Sequence, residues 1–304
     1  MTPGKLTTEF RAEVVASFGR RVRVRDEHGL ERDARPIGRR LGVLCGDQVL
    51  CRDDPTHGET HVVQVEPRTT VLRRANVRGG SEPIVANVTL LLVVIAPKPA
   101  ADLFIADRYL CAATSACIAG AVILNKADLP ETAELRTALT VYAAAGYRTL
   151  ECSAHDGAGV EALAELLREH RSVLVGQSGV GKSSLVNRLC PSRDATTGTL
   201  ARDDEGRHTT TWSETFQLPA GGQIVDSPGV RDFAPADDAL DERSLGFPEI
   251  AHRLAACRFN DCRHMVEPGC AVIAAVEAGS IDSRRYESYR RLRRLVEQLR
   301  ARRD

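Results

Sequence analysis

Gly176-Gln177-Ser178-Gly179-Val180-Gly181-Lys182-Ser183 follows an apolar, strand-like stretch and opens a helical one. Glycines there let backbone N–H groups turn inward around phosphate oxygens, and the following helix offers its positive end. A second segment, Asn125-Lys126-Ala127-Asp128, also follows a strand-like stretch, but it lies upstream. Asp128 brings two acceptor oxygens, which suit the N1–H and exocyclic N2–H of guanine. Cys152-Ser153-Ala154 lies between the two, and Asp226-Ser227-Pro228-Gly229 comes last. In an uninterrupted nucleotide domain the phosphate loop comes first and the base-reading loop last. The reversed order requires a domain cut and rejoined, with further modules attached at its new ends.

The chemistry of each loop follows from its residue types. In the phosphate loop, Gly176, Gln177, Ser178, Gly179, Val180 and Gly181 supply the backbone cradle, and Ser184 continues into the helix. Lys182 can reach the β- and γ-phosphates, and Ser183 can ligate Mg²⁺. Adenine lacks the donor pair that Asp128 needs, so a buried Asp128 would be left unpaired against it, the strong form of discrimination. Asn125 can brace its loop and touch the base edge, while the Lys126 stem covers one face. Ser153-Ala154 offers a backbone N–H to guanine O6. Alone, Asn-Lys-Ala-Asp is an ordinary helix N-cap; beside the phosphate loop it implies guanine.

Asp226 can hold Mg²⁺ through water, and the Gly229 N–H can sense a γ-phosphate. Gly206-Arg207-His208-Thr209-Thr210-Thr211 offers hydroxyls for a further metal contact. Thr210 joins Ser183 and Asp226 in the expected Mg²⁺ set, although Thr209 is equally placed by sequence. Val230 follows Gly229 where a glutamine could orient an attacking water, and Gly179 stands where some GTPases carry a potassium-binding asparagine. Slow intrinsic turnover is therefore expected, with His208 or a group from a partner positioning the water. The candidate catalytic residues are Lys182, His208, Thr209 and Thr210.

At 304 residues the chain has room for two or three domains. Residues 1–70 read as short strands at Arg11–Ser17, Arg21–Arg25, Gln48–Arg52 and His61–Glu66, separated by turn signals. A small barrel such as an OB-fold fits this pattern, and a β-sandwich fragment fits almost as well. From Val88 the pattern becomes strand-helix alternation, the mark of a parallel sheet with crossover helices. The expected helices are Asp102–Ala119, Glu131–Ala145, Val160–Glu169 and Lys182–Leu189. After about Asp237 regular strands stop, and a helix is expected over 283–302 with the stripe Tyr286, Tyr289, Leu292, Val296 and Leu299.

Cys257, Cys262, His264 and Cys270 gather three thiols and an imidazole within fourteen residues. Four such ligands satisfy a tetrahedral zinc ion in a structural site, which would contribute much of the folding energy of a small segment without a large core. The six other cysteines are scattered, as buried thiols in a reducing compartment would be. Net charge is zero, yet residues 284–304 hold nine arginines against three acids. That surplus suggests phosphate-backbone binding, against the plainer reading of a solvated helix face. The longest apolar run, Leu90 to Ala96, ends at Pro97, and a spanning helix needs about 20 residues. No membrane association and a cytoplasmic location are expected.

These motifs together resemble those of the ribosome small-subunit-dependent GTPases, the circularly permuted GTPases of bacterial ribosome assembly. The resemblance covers nearly the whole chain and rests on the five segments at 125–128, 176–183, 206–211, 226–230 and the Cys257/Cys262/His264/Cys270 set. It implies an N-terminal OB-fold RNA-binding domain (1–70), a central circularly permuted P-loop α/β GTPase domain (71–236) and a C-terminal, mostly helical zinc-binding domain (237–304). It further implies one structural zinc per chain, Mg²⁺ with GTP, a monomer, and binding to the small ribosomal subunit and its rRNA late in maturation. GTP hydrolysis would be triggered by that subunit and followed by release. The histidine that this family places beside the switch threonines maps onto His208.

Overall fold

A computed structural model describes residues 9–38, 41–54, 56–75, 80–191, 213–226 and 240–301. The N-terminal strands are β1 (Glu9–Ser17), β2 (Val22–Asp26), β3 (Glu31–Pro36), β4 (Gln48–Asp54) and β5 (Glu59–Val65). β1 pairs antiparallel with both β2 and β4, β2 with β3 and β4 with β5, and β3 pairs parallel with β5. The ladder therefore closes on itself, which settles the N-terminal unit as a barrel and not a sandwich fragment. Val14, Val22, Val24, Val49, Cys51 and Val62 fill its interior. The outward positions carry cross-strand ion pairs, among them Arg23–Asp33 at 3.0 Å and Arg25–Glu31 at 2.7 Å. Exposed pairs contribute only ~0–1 kcal/mol each, so the apolar interior holds the barrel.

β6 (Val71–Ala75) and β7 (Ser81–Ala86) form a separate two-stranded hairpin. β8 (Leu90–Ile95), β9 (Ala119–Leu124), β10 (Arg148–Glu151), β11 (Arg171–Val175), β12 (Ser213–Gln217) and β13 (Gln223–Asp226) build the central sheet in the order β10-β9-β8-β11-β13-β12. All neighbours are parallel except β12, which runs antiparallel to β13. β8 is buried at every residue, as expected for a central strand covered on both faces. Leu91, Val93 and Ile95 join the core under α1 (Leu103–Ser115) and α2 (Ala133–Ala144). Leu90, Leu92 and Val94 join the opposite core under α3 (Val160–Leu167) and α4 (Lys182–Leu189).

α1 is shorter than the expected Asp102–Ala119. Asp102 is its N-cap, accepting from the Phe104 N–H at 2.9 Å. The helix stops before Cys117, whose φ is 57°, and Ala119 already belongs to β9. The apolar segment that follows, ending Val122-Ile123-Leu124, serves the sheet, not the helix.

The C-terminal unit has one helical turn at Pro248–Ala251, then α5 (Ala271–Glu277) and α6 (Ser283–Arg300). Tyr289, Leu292 and Val296 enter its core, with Tyr286 packed alongside. Several arginines of α6 depart from the expected phosphate-binding role. Arg285 and Arg293 are buried, and Arg284 and Arg285 bond Asp107 of α1 at 2.9 and 2.7 Å. The Arg291 guanidinium lies 3.9 Å from the Phe104 ring centre. Asp107 holds Arg284 and Arg285 against the central domain, and Arg293 bonds the Arg243 carbonyl and the Tyr289 hydroxyl within its own unit, while Arg291, Arg294 and Arg300 stay exposed.

The barrel is joined to the sheet through backbone. Ala16 and Ser17 of β1 pair with Glu214 and Ser213 of β12. Beside this junction Arg171, at the start of β11, bonds Glu13 at 2.7 Å and the Gly46 carbonyl at 3.0 Å. Cys45 Sγ lies 3.1 Å from Thr215 Oγ1, and burial pushes this thiol up to about 12.

Candidate nucleotide site and metal centre

The loops carrying the reversed motifs all leave the carboxyl edge of the parallel sheet. β9 ends at Leu124 just before Asn125, β10 at Glu151 before Ser153, β11 at Val175 before Gly176, and β13 at Asp226. Ligands of open α/β sheets bind at this edge.

Asn125 is 1% exposed and ties three loops together. Its Nδ2 donates to the Val180 carbonyl at 2.8 Å, and its Oδ1 accepts from the Ala154 N–H at 3.1 Å. Lys126, at φ 59°, donates from Nζ to the Gly179 carbonyl at 2.8 Å and the Lys98 carbonyl at 2.7 Å. The base-reading and phosphate loops are thus bonded to each other directly. Asn125, Lys126, Asp128, Leu129, Ala154, His155, Gly181 and Ser184 line one cleft of about 390 Å³. Leu129 and His155 were absent from the sequence-based set; each simply adjoins a motif residue that was in it.

Two glycines of the phosphate loop are required by space as well as by φ. A Cβ on Gly176 (φ 140°) would stand 2.2 Å from the Val94 carbonyl oxygen. One on Gly181 (φ 95°) would stand 2.3 Å from Asn125 Nδ2. Lys182 donates from Nζ to the Gly176 and Gln177 carbonyls at 2.6 and 2.9 Å, which keeps its ammonium over the loop. Gln177 faces away from the cradle: its Oε1 accepts from the Asp102 N–H at 2.8 Å and its Nε2 donates to the Ala100 carbonyl at 3.3 Å. Ser178, Ser183 and Ser184 are exposed at the loop and the first turn of α4.

The Ser153-Ala154 loop is held by bonds of its own and by Asn125. Ser153 is buried, its N–H donates to the Ala158 carbonyl at 2.8 Å, and its Oγ accepts from the Asp156 N–H at 3.3 Å. The Ala154 N–H donates to Asn125 Oδ1 at 3.1 Å. Asp226 is half-buried at the end of β13. His208, Thr209, Thr210 and Gly229 lie outside the described residues.

In the C-terminal unit, the ligand atoms of Cys257, Cys262, His264 and Cys270 all lie within 4.8 Å of one another. His264 Nδ1 is 3.5 Å from Cys257 Sγ and 3.3 Å from Cys270 Sγ. Burial pushes the His264 imidazole down to about 4, which keeps it in the neutral form that binds metals. Burial also pushes the Cys262 thiol up to about 12; a cation at the centre would oppose that. Glu267, though partly desolvated, is held down to about 2 by the Val266, Arg263 and Met265 N–H groups, which fixes the turn between the ligands. Tyr286 of α6 donates to the His264 carbonyl at 2.7 Å. Three thiols and one imidazole converging in a buried space fit a four-coordinate structural zinc ion.

Residues 65–235 match the sequence profile of the RsgA GTPase family. A Chromohalobacter salexigens protein named Small ribosomal subunit biogenesis GTPase RsgA is 44% identical over 286 residues, 92% of this chain and 84% of that one. A protein of the same name from Ectopseudomonas mendocina is 44% identical over 254 residues, 82% of this chain and 74% of that one. Among solved structures, YjeQ from Thermotoga maritima matches with a TM-score of 0.71 at 28% identity, over 96% of this chain and 99% of that one. YloQ, described as a circularly permuted GTPase, has the same fold, with a TM-score of 0.73 at 24% identity over 98% of both chains.

Proposed function

The chain belongs to the RsgA GTPase family, and from that premise we propose that it hydrolyses GTP while docked on the small ribosomal subunit and then leaves it. The supporting observation is the Asn125–Val180 bond at 2.8 Å, with Asp128 and Gly181 lining the same cleft. Base and phosphate are read by one site despite the reversed chain order.

In this reading Asp128 accepts from the guanine N1–H and N2–H groups, and Lys126 covers a base face. The 176–181 backbone and Lys182 hold the phosphates, with Ser184 beside them. Asn125 and Ser153 frame the base loop, and the Ala154 amide shares its hydrogen between Asn125 and guanine O6. Ser183, Thr210 and Asp226 would hold Mg²⁺, which when bound would neutralise developing charge on the β- and γ-oxygens. Water adds to the γ-phosphorus, the bond to the β–γ bridging oxygen breaks, and GDP departs; the water proton ends on phosphate. His208 orients that water beside Thr209, and Gly229 senses the γ-phosphate.

The relatives' names point to the small subunit as partner. The barrel (1–70) and the zinc unit (237–304) flank the central domain (71–236) and would contact rRNA from either side. No described helix is long and apolar enough to cross a membrane; the proposal places the chain, as a monomer, on ribosomes in the cytoplasm.

Adding purified small subunits should raise GTP hydrolysis by orders of magnitude, with Lys182→Ala inactive. A rate that stays flat rejects the subunit trigger. Single-turnover mixing that yields bound but uncleaved GTP rejects hydrolysis itself.

A further inference from the structure

Asp107 is fully buried in the middle of α1 and holds three side chains from two other helices. Its Oδ1 accepts from Arg285 Nη1 and from the Tyr142 hydroxyl, each at 2.7 Å, and its Oδ2 accepts from Arg284 Nη1 at 2.9 Å. Arg285, 1% exposed, is closed on its other side by Glu249 at 2.7 and 3.1 Å. Two guanidinium and two carboxylate groups thus meet at formal neutrality. Apolar side chains of similar volume would often hold such an interface as well or better, because they avoid the desolvation of buried charge. What the charged groups add is direction: both Asp107 oxygens are engaged by α6 arginines in the observed seating.

The helices that meet at this carboxylate lead to distinct functional loops. α1 begins at Asp102, whose N–H is held by Gln177 of the phosphate loop at 2.8 Å. α2, which carries Tyr142, follows the base loop through the turn at Pro130–Thr132. α6 is bonded to the metal loop, through Tyr286 to the His264 carbonyl and through Tyr289 to the Arg263 carbonyl, each at 2.7 Å. One buried carboxylate therefore touches a helix whose cap is bonded to the phosphate loop, a helix that follows the base loop and a helix bonded to the metal loop.

We propose that Asp107 is a positioning residue that couples the seating of the C-terminal unit to the nucleotide loops, through α1 and Gln177 on one side and α2 on the other. The direction of its use, from subunit contact at the C-terminal unit to the GTP site, rests on the function proposed above. The coupling is reciprocal, since two sites linked through one element bias each other equally. Nucleotide binding should then be felt in α6 without any ribosome.

That reciprocity gives the test. Hydrogen exchange is followed in full-length, zinc-loaded protein with Mg²⁺ and either GDP or a non-hydrolysable GTP analogue, with binding measured separately by fluorescent-nucleotide titration. In the wild type, α6 amides should exchange at least threefold differently between the two nucleotides. In Asp107→Asn, and in the milder Arg284→Gln, that difference should vanish while amides of the 176–184 loop still respond. Wild-type α6 amides indifferent to the nucleotide overturn the proposal. So do variants whose α6 exchanges faster throughout but keeps its nucleotide response, the signature of a merely structural contact. With small subunits, Arg284→Gln should lower the stimulated kcat at least tenfold at an unchanged half-saturating subunit concentration; a shift in half-saturation alone also overturns it. A wild type that binds GTP yet ignores subunits rejects the proposed trigger, and the exchange data then decide the coupling by themselves.

Discussion

Asn125 and the Val180 carbonyl, 55 positions apart in the chain, are bonded at 2.8 Å. The asparagine is a strut between base loop and phosphate loop as much as a contact for the base. Asn125→Ala would strand the Val180 carbonyl and the Ala154 N–H together. Leaving buried groups unpaired costs about 1–3 kcal/mol. GTP affinity should fall roughly tenfold or more, and GDP affinity should fall with it, because the strut serves both. Fluorescent-nucleotide titration measures the loss; unchanged affinity would show that the two loops hold their places without it.

Gly181→Ala should be far more damaging than its size suggests. The new methyl would lie 2.3 Å from Asn125 Nδ2 at a φ of 95°. Gly29→Ala is the matched control, with φ 81° and nothing within 4 Å. The left-handed conformation alone costs a side chain about 1–2 kcal/mol, so both variants should lose thermal stability. Only Gly181→Ala should lose nucleotide binding, and equal binding by the two would refute the clash.

Asp128 lines the shared cleft, and in the proposed reading base selectivity rests on it. Asp128→Asn replaces one acceptor by a donor. It should weaken GTP and favour a base with oxygen at C2, as in xanthine. Competition between GTP and XTP for the variant reads the outcome, and a variant still preferring guanine places base recognition elsewhere.

The metal centre predicts one zinc per chain by atomic absorption, lost in Cys270→Ser. Chelation should unfold the C-terminal unit first, because the ligands Cys262 and Cys270 are themselves part of its core. Intact near-ultraviolet signals from Tyr286 and Tyr289 after chelation would contradict this.

Acid should weaken the same unit. The folded chain keeps His264 neutral down to about 4, whereas an unfolded imidazole protonates near 6.5. Between those values the unfolded state binds more protons, so stability is present above the upper value and falls as pH drops toward the lower one. Unfolding midpoints from pH 7 to 4 should decline, and His264→Asn should flatten the dependence while losing zinc.

Much of the central domain could be read because its signals are local. Strand-to-loop transitions and glycines mark the 176–183 turn, and α4 spans the expected Lys182–Leu189. The barrel was harder. β3 reads Glu-Arg-Asp-Ala-Arg-Pro, and only Ala34 turns inward, so no apolar alternation announces it. Its existence is imposed by pairing with β2 and β5. β6 and β7 were missed for a similar reason: Arg73, Arg74 and Glu82 dilute their pattern. The arginines of α6 looked like a surface charge because sequence cannot show Asp107 and Glu249 arriving from elsewhere in the chain. The bond from the Ala154 N–H to Asn125 Oδ1, likewise, joins loops 29 positions apart and has no local signal.

The β1–β12 pairing at Ala16–Glu214 and Ser17–Ser213 has a practical corollary. Cutting away the first 65 residues would strip β12 of its neighbour and leave a raw strand border facing solvent. Such borders recruit other chains. A trimmed central fragment should therefore clump or swap strands, and any experiment on it would report on that artefact as much as on GTP.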